Sequence, residues 1–544
     1  MTGPFLSAAG KNITSLARGG MALRIPSLAK CASVRQPQRC MDWMKAQGFG
    51  RSWWAGALAV TSIGITLRIC DLGLKPLHGD EGVNGLFLLG LFREGIYRYN
   101  PANYHGPTLY YFALVSSSIN HLLSGNEGPS TLAIRIVPAV FGVGLIVLLL
   151  TFRDRLGSIG TLAAAGLVAF SPGAVYLSRD FIHETLLGFF TLWLVVWGLR
   201  FWDTKRSNHL FLGSLAASLM LCTKETAPIS LMALTIAAAI ALVWVRHDRD
   251  LSAAEFGGWT RLGRLAVASL ALFLACSFLF FSSFFGNYPQ GVRDAVTTYS
   301  YWTRTGMAQQ TAPWYTYVLW LLRAEAPLFI IAAIGTGMAL AQRRNRFAVF
   351  AGIWGFVLLA AYSMIPYKTP WVLLNMIVPM SIAGGAGVQG MRDYIAEHRG
   401  GKLAQFFPAA LTVVALAICF YQSVQLSFFR YDDDRYVYPY VQTRRGFLNL
   451  VAEINQLAAT RGGMQTPVAV LTPDYWPLPW YLRDYRKVAY FGKATPTDSP
   501  IVIGSFAQIV ELQRLLAGRY RLVDGYSLRP GVDLVLYVAN QTAR

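Results

Sequence analysis

Long apolar runs, each near the length that crosses a hydrocarbon layer and most flanked by lysine or arginine, recur through most of this 544-residue chain. They fall at about 53–70, 131–150, 158–177, 184–203, 209–223, 226–245, 264–285, 315–340, 346–365, 370–390 and 404–426. A backbone in lipid has to satisfy its own polar groups, and helices do so within one segment. The expected fold class is therefore a polytopic α-helical membrane protein with about eleven transmembrane helices. Composition agrees, since 54% hydrophobic and 14% charged residues suit a bilayer better than one soluble core.

The basic clusters orient the spans. RDR at 153–155, DTKR at 203–206, RHDRD at 246–250, QRRNR at 342–346 and MRDYIAEHRGGK all face the cytoplasm if one further apolar run, PTLYYFALVSSSINHLL at 107–123, lies in the interface instead of crossing. Counting 107–123 as a span would put every one of them outside. The charge pattern selects the first arrangement, with the N-terminus inside and the C-terminus outside. The formal charge of +20 is then a topology signal and not a nucleic-acid stripe. The first outer loop, 71–130, should hold two interfacial helices, the earlier one formed by EGVNGLFLLGLFREG.

Residues 1–52 are rich in Lys and Arg, contain one acid, Asp42, and read as a basic cytoplasmic tail without fixed structure. A transit peptide or an early gene start, with Met21, Met41 and Met44 downstream, is the alternative. Residues 53–429 form the transmembrane domain. Residues 430–544 change character: VAVLTPD, SPIVIGSF and DLVLYVAN alternate like strands, while FLNLVAEINQLAATR and AQIVELQRLLAGR have helical spacing. A small extracytoplasmic α/β domain is expected there. The six cysteines show no CxxC spacing, so neither a disulfide framework nor a zinc site follows.

Ionisable residues collect on the outer side. PLHGDEGVNG places His78, Asp80 and Glu81 at the start of the first interfacial helix, where carboxylates also serve as caps. NPANYHGPTLYY adds His105. SPGAVYLSRDFIHETLLGFF sets Arg179, Asp180, His183 and Glu184 between two spans, with 180, 183 and 184 on one helical face. Such charges at a membrane edge are costly and mark function more often than a single ion pair explains. CTKETAP brings Lys224 and Glu225, LWLLRAEAPL brings Arg323 and Glu325, and IPYKTPW brings Lys368. Each alone reads as a snorkelling or paired residue. Together they suit a polar cavity that holds a phosphate. Transfer of a polar group from a lipid phosphate needs a carboxylate base for the acceptor hydroxyl and positive charge, from Lys, Arg or a divalent ion, for the leaving group. There is no GxSxG and no Walker A signature.

These motifs carry a resemblance. The Asp80-Glu81 pair, HGPTLYY, IRIVPAVFGV, SPGAVYLSRDFIHETLLGFF and CTKETAP, in this order over roughly 60–230, resemble the GT-C membrane glycosyltransferases of the family 39-like protein mannosyltransferase and aminoarabinose transferase superfamily, in particular its flippase activity-associated group. PYKTPW and DYWPLPWYLRD extend the likeness weakly. The resemblance implies an integral protein of the cytoplasmic (inner) membrane. It also implies an inverting hexosyltransferase that moves a sugar from a polyprenyl-phosphate-linked donor to a protein, glycan or lipid acceptor on the outer face.

Within that resemblance Asp80 is the catalytic base, with Glu81 supporting it and Glu184 in the place where relatives commonly carry Asp. Arg179 and Lys224 match the lipid-phosphate site, and His105, Asp180 and Lys368 are further candidates for substrate or phosphate binding. No cofactor is required by the motifs; a divalent metal, with His183 as ligand, stays open. A transporter or flippase component that binds lipid-linked sugar without breaking it is the rival reading, and the absence of broken-helix pairs in the hydropathy pattern counts against it.

Overall fold

The computed structural model describes residues 50–103, 105–125, 128–245, 252–305, 311–398 and 401–540. The chain divides into two compact units, 1–58 and 59–544. Of the first, only 50–58 are described, and from Arg51 they are helical. The basic tail expected at 1–52 therefore lies almost wholly outside the described residues.

A helix stands at each expected apolar run. The first four are α1 (Arg51–Ile69), α2 (Gly79–Glu94), α3 (Thr108–Ser124) and α4 (Thr131–Leu150). Here α2 and α3 are the two helices read in the first outer loop. Then come α5 (Arg153–Phe170), α6 (Pro172–Leu177), α7 (Glu184–Thr204), α8 (Ser207–Leu221), α9 (Ala227–Trp244) and α10 (Trp259–Phe281). The remainder of the helical part is α11 (Gln290–Thr305), α12 (Thr316–Ala324), α13 (Ala326–Gln342), α14 (Arg346–Met364), α15 (Leu373–Glu397) and α16 (Lys402–Val424).

Among the described residues seven helices are long and apolar enough to cross a membrane, or eight if one bent pair counts as a single span. The others fall short for visible reasons: α8 has 15 residues, α1 carries Arg51 and Arg68, and α5 opens on Arg153-Asp154-Arg155.

Two expectations are corrected. The run at 315–340 is not one helix: α12 and α13 meet at 113°. Pro327 enters at the start of α13, where its missing N–H costs nothing, and the turn residue Glu325 is held by tertiary bonds to Ser171 Oγ (2.9 Å), Gly173 N (2.7 Å) and Tyr438 Oη (2.9 Å). A broken pair is thus present where the hydropathy pattern gave none. The run at 158–177 also breaks, between α5 and α6, where Ser171 caps and Pro172 starts the new helix.

The centre of the bundle is α15, in which every residue from Leu373 to Gly385 is buried. Small residues let neighbours approach its backbone, as bilayer packing favours. A Cβ on Gly385 would stand 2.3 Å from the Gly160 carbonyl oxygen of α5.

The C-terminal part holds α17 (Phe447–Ala459), α18 (Leu478–Tyr481), α19 (Ile509–Leu516) and a five-stranded sheet ordered β2-β1-β3-β5-β4. The strands are β1 (Val468–Val470), β2 (Val488–Tyr490), β3 (Ile501–Ser505), β4 (Tyr520–Arg529) and β5 (Val532–Ala539). Strand β1 pairs parallel with both β2 and β3; β5 runs antiparallel to β3 and β4. Alternation places Val468, Val470, Ile501 and Ile503 against α17, and Ala469, Leu471 and Val502 against α19.

Candidate active site

The stretch PLHGDEGVNG folds as its polar residues dictate. His78 is the N-cap of α2: its ring accepts from Asp80 N at 3.1 Å, and Glu81 reaches back to accept from His78 N at 2.9 Å. Glu81 then leaves solvent entirely. Arg135 of α4 grips both of its oxygens at 2.8 and 2.7 Å, and Phe181 N adds a bond of 2.8 Å. The rest of that guanidinium ties the loop between α1 and α2, donating to Leu72 O at 2.7 Å and Lys75 O at 2.9 Å. Burial alone would raise the Glu81 pKa, but Arg135 beside it holds the carboxyl down to about 2.

A second buried pair joins Lys75 to Asp180, with the ammonium 3.6 Å above the Tyr176 ring. Burial pushes Lys75 down to about 8 and Asp180 up, each opposed by its partner. Next to it Arg179 spends its donors on the C-terminal end of α1, at Leu67 O (3.0 Å), Cys70 O (2.6 Å) and Asp71 O (2.8 Å). That fits the usual fate of an arginine at a helix end. Lys368, also expected at phosphate, ends α14 in the same way, donating to the carbonyls of Tyr362, Ser363 and Ile365. Three bonds exhaust an ammonium, so Lys368 has no donor left for a ligand in this arrangement.

The third group lies where the loop before α3 bridges the turn between α8 and α9, with Gly106 N donating to Thr223 O at 3.1 Å. The CTKETAP turn is buried there: Lys224 pairs with Glu184, and Glu225 meets the half-buried His105 Nδ1 at 3.1 Å. The His183 ring lies tilted against that of His105, their centres 4.7 Å apart, and its Nε2 contacts Gly106 O at 3.1 Å. Burial holds the His183 pKa well below its ordinary value, and among the described residues its Nδ1 has no partner. Among the described residues no three His, Cys, Asp or Glu side chains converge as metal ligands.

Asp80 differs from all of these. Its side chain is 55% exposed, against 0% for its neighbour Glu81. Aromatic rings surround its position: His78 meets Trp371 edge-on at 6.0 Å, Trp371 meets Tyr440 at 5.9 Å, and Tyr367 is near enough to feel the charges of both Asp80 and Lys224. Of the acids picked from sequence, Asp80 is the open one. Glu81, Asp180 and Glu184 are sealed in ion pairs.

Sequence reasoning missed Arg135, Lys75 and the rings of Trp371, Tyr367 and Tyr440 as members of this site. Arg135 carried a readable signal, since an arginine one turn inside an apolar run is expensive without a partner. Lys75 carried none. Two cavities, of about 680 and 390 Å³, lie away from this chemistry, between Arg430, Arg435 and their neighbours near the end of α16. Arg323 lines the smaller one, but the catalytic and phosphate candidates picked from sequence line neither, so burial and hydrogen bonding, not cavity size, define the candidate site.

Comparisons with known proteins point one way. Residues 105–274 match the family model of dolichyl-phosphate-mannose-protein mannosyltransferases. The crystal structure of ArnT from Cupriavidus metallidurans bound to undecaprenyl phosphate superposes with a TM-score of 0.63 at 14% identity, covering 90% of this chain and 98% of that one. The apo state of the same protein gives 0.61 at 15% identity, with the same coverage. The S. cerevisiae protein O-mannosyltransferase Pmt1-Pmt2 complex bound to the sugar donor covers 45% of this chain and 34% of that one at 16% identity, and its score of 0.35 carries no weight. A search of curated proteins by sequence found no match. At these identities the structural likeness speaks for the fold, and the family model speaks for the segment from His105 to Leu274.

Proposed function

We propose a function from the premise that this chain is a membrane protein of the GT-C protein mannosyltransferase/ArnT-like family: it transfers a sugar from a polyprenyl-phosphate-linked donor to an acceptor hydroxyl. The observation that carries the reading is the contrast at the start of α2, where Asp80 stands open beside a Glu81 fixed in place by Arg135. Asp80 is the general base. The acceptor oxygen bonds to the anomeric carbon as the bond from that carbon to the phosphate oxygen breaks. The hydroxyl proton goes to Asp80 and the electron pair leaves with the phosphate. A phosphate leaves without being protonated, so one open carboxylate suffices and a single displacement inverts the anomeric centre. Lys224 and His105, which keep donor capacity, meet the departing charge. Arg179, Lys368, Asp180, Glu184 and Glu81 position the frame.

The same reading gives eleven crossings of the cytoplasmic membrane, with α1 leaving the inside and the sheet-bearing residues 430–544 outside. Asp80, Lys224 and Lys368 then share the outer face. The flippase reading gains one observation, the bent pair α12–α13, but an alternating-access design uses matched breaks in two related halves, and one pair was found among the described residues.

The test is reconstitution of the full chain in liposomes with polyprenyl-phosphate mannose and other lipid-phosphate sugars. Release of polyprenyl phosphate, abolished by Asp80→Asn, is the expected outcome. Movement of intact donor between leaflets without any release sinks the enzyme reading.

A further inference from the structure

The sheet has a switch point beside the candidate site. From β1 the chain passes to β2 on one side, then returns across to β3 on the other. In open α/β sheets such a reversal leaves a crevice at the carboxyl ends of the strands, and ligands bind there. Here the carboxyl ends of β1 and β2 carry rings. Tyr475 and Trp476 come from the loop leaving β1, Tyr490 ends β2 and Phe491 follows it. Ring centres are 4.9 Å apart for Tyr475 and Tyr490, and 5.8 Å for Tyr475 and Trp476. The cluster is not sealed, since Tyr490 and Phe491 are 37% and 44% exposed. A row of large ring faces left in solvent calls for an occupant.

The same loop rests on the helix that carries Asp80. A Cβ on Gly79 would lie 3.7 Å from Trp476 Cβ, and one on Gly82 would lie 3.1 Å from Pro477 Cα. The row therefore ends within one residue of Asp80. Its rim is charged: Asp474 pairs with Arg529, and Lys493 stands exposed two residues past Phe491.

We infer that this aromatic row is the acceptor subsite and that the acceptor is a saccharide, an inference that rests on the reading of Asp80 as base. A sugar ring has apolar C–H faces and hydroxyl edges. It lies flat on Tyr475 and Tyr490 with its edges toward the charged rim, and the next residue of the glycan presents a hydroxyl past Trp476 to Asp80. That oxygen forms the new bond to the donor's anomeric carbon, its proton passing to Asp80 while the phosphate leaves with the bonding pair. A peptide bearing Ser or Thr calls for separate side-chain pockets or strand pairing, and the row presents adjoining, mutually tilted rings instead.

The experiment uses the full chain in lipid nanodiscs, with mannotriose, chitotriose and maltotriose as saccharide probes and a Ser/Thr-rich decapeptide as the rival. Saturation-transfer NMR is expected to show at least one trisaccharide bound through its C–H face. Tyr490→Ala and Trp476→Ala should weaken that binding at least tenfold, while Tyr490→Phe and Trp476→Phe retain it. In the liposome assay the KM for that saccharide should rise tenfold in the alanine variants. Binding of the decapeptide with no trisaccharide bound overturns the inference. So does trisaccharide binding indifferent to both alanine changes, or quenching of Trp476 by brominated lipid, which would make the row a membrane anchor. If Asp80→Asn transfers normally while Tyr490→Ala still abolishes saccharide binding, the reading of Asp80 fails and the subsite stands.

Discussion

The layer beneath α2 and the rim above it use the same residue types in opposite media. Beneath, Glu81 with Arg135 and Lys75 with Asp180 lie out of water, each charge matched by a neighbour. Above, Asp80 meets solvent among Trp371, Tyr367 and Tyr440. Buried pairs of this kind stabilise little in net terms but fix geometry, because losing one member strands the other. An open carboxylate stabilises nothing much and is free to take a proton. The division assigns shape to the lower layer and chemistry to the rim, and each assignment can be broken separately.

The largest effect is expected from Asp80→Asn. Loss of a general base costs on the order of 10²–10⁴ in rate, while thermal unfolding should stay at the wild-type temperature because the side chain is mostly in water. A variant that is both slow and unstable would erase the contrast. Glu81→Ala is the mirror experiment. It leaves the Arg135 guanidinium buried without its carboxylate, a loss of about 3–5 kcal/mol, seen as poor expression or a much lower Tm. That penalty carries a pH signature. The Glu81 carboxyl sits near 2 when folded against an ordinary 4.5, so its contribution is complete above about 4.5 and is lost as pH falls toward 2. The Tm gap between wild type and Glu81→Gln should be constant at neutral pH and close only in acid.

A smaller effect probes how α2 is held against the loop bearing Trp476. A Cβ on Gly85 would stand 2.4 Å from Cε3 of the buried Trp480, so Gly85→Val should cost about 1–3 kcal/mol. If the loop also places the acceptor, transfer should fall further than donor hydrolysis in that variant. Equal losses would confine the contact to stability.

Much of this arrangement was legible before any coordinates. Hydropathy and charge located a helix at every apolar run, and they set 107–123 apart from the spans, where the structure has α3. Period-two and helical patterning found β1, β3, β5, α17 and α19. The capping account of Glu81 was readable too, from carboxylates in the first turn of a helix, but His78 as its capping partner was not. Breaks were not readable. Glu325 ends a helix because Ser171, Gly173 and Tyr438 converge on it from distant parts of the chain. The same limit separates Arg179 and Lys368 from Lys224. All three are lysines or arginines in motifs read from charge as outer-side, but two meet free carbonyls at helix ends and one meets a carboxylate. Sequence spacing does not record which partner tertiary packing delivers.

The smallest effect supplies the control for the comparison. One nitrogen of Arg155 reaches both oxygens of Asp203 at 2.7 Å, distances as short as those of the two-nitrogen fork of Arg135 on Glu81. The difference is water: Asp203 is 53% exposed and Arg155 26%. Solvent screens the attraction and hydrates whichever partner remains, so Asp203→Ala should cost only about 0.2–1 kcal/mol. In 1 M salt, where charges are screened beyond about 3 Å, even that loss should fade. The Glu81→Ala penalty should not, since no ion reaches a pair from which water is excluded. Equal salt sensitivity in the two variants would mean that solvent penetrates the layer beneath α2, and Asp80 would then no longer be distinguished from Glu81 by its surroundings.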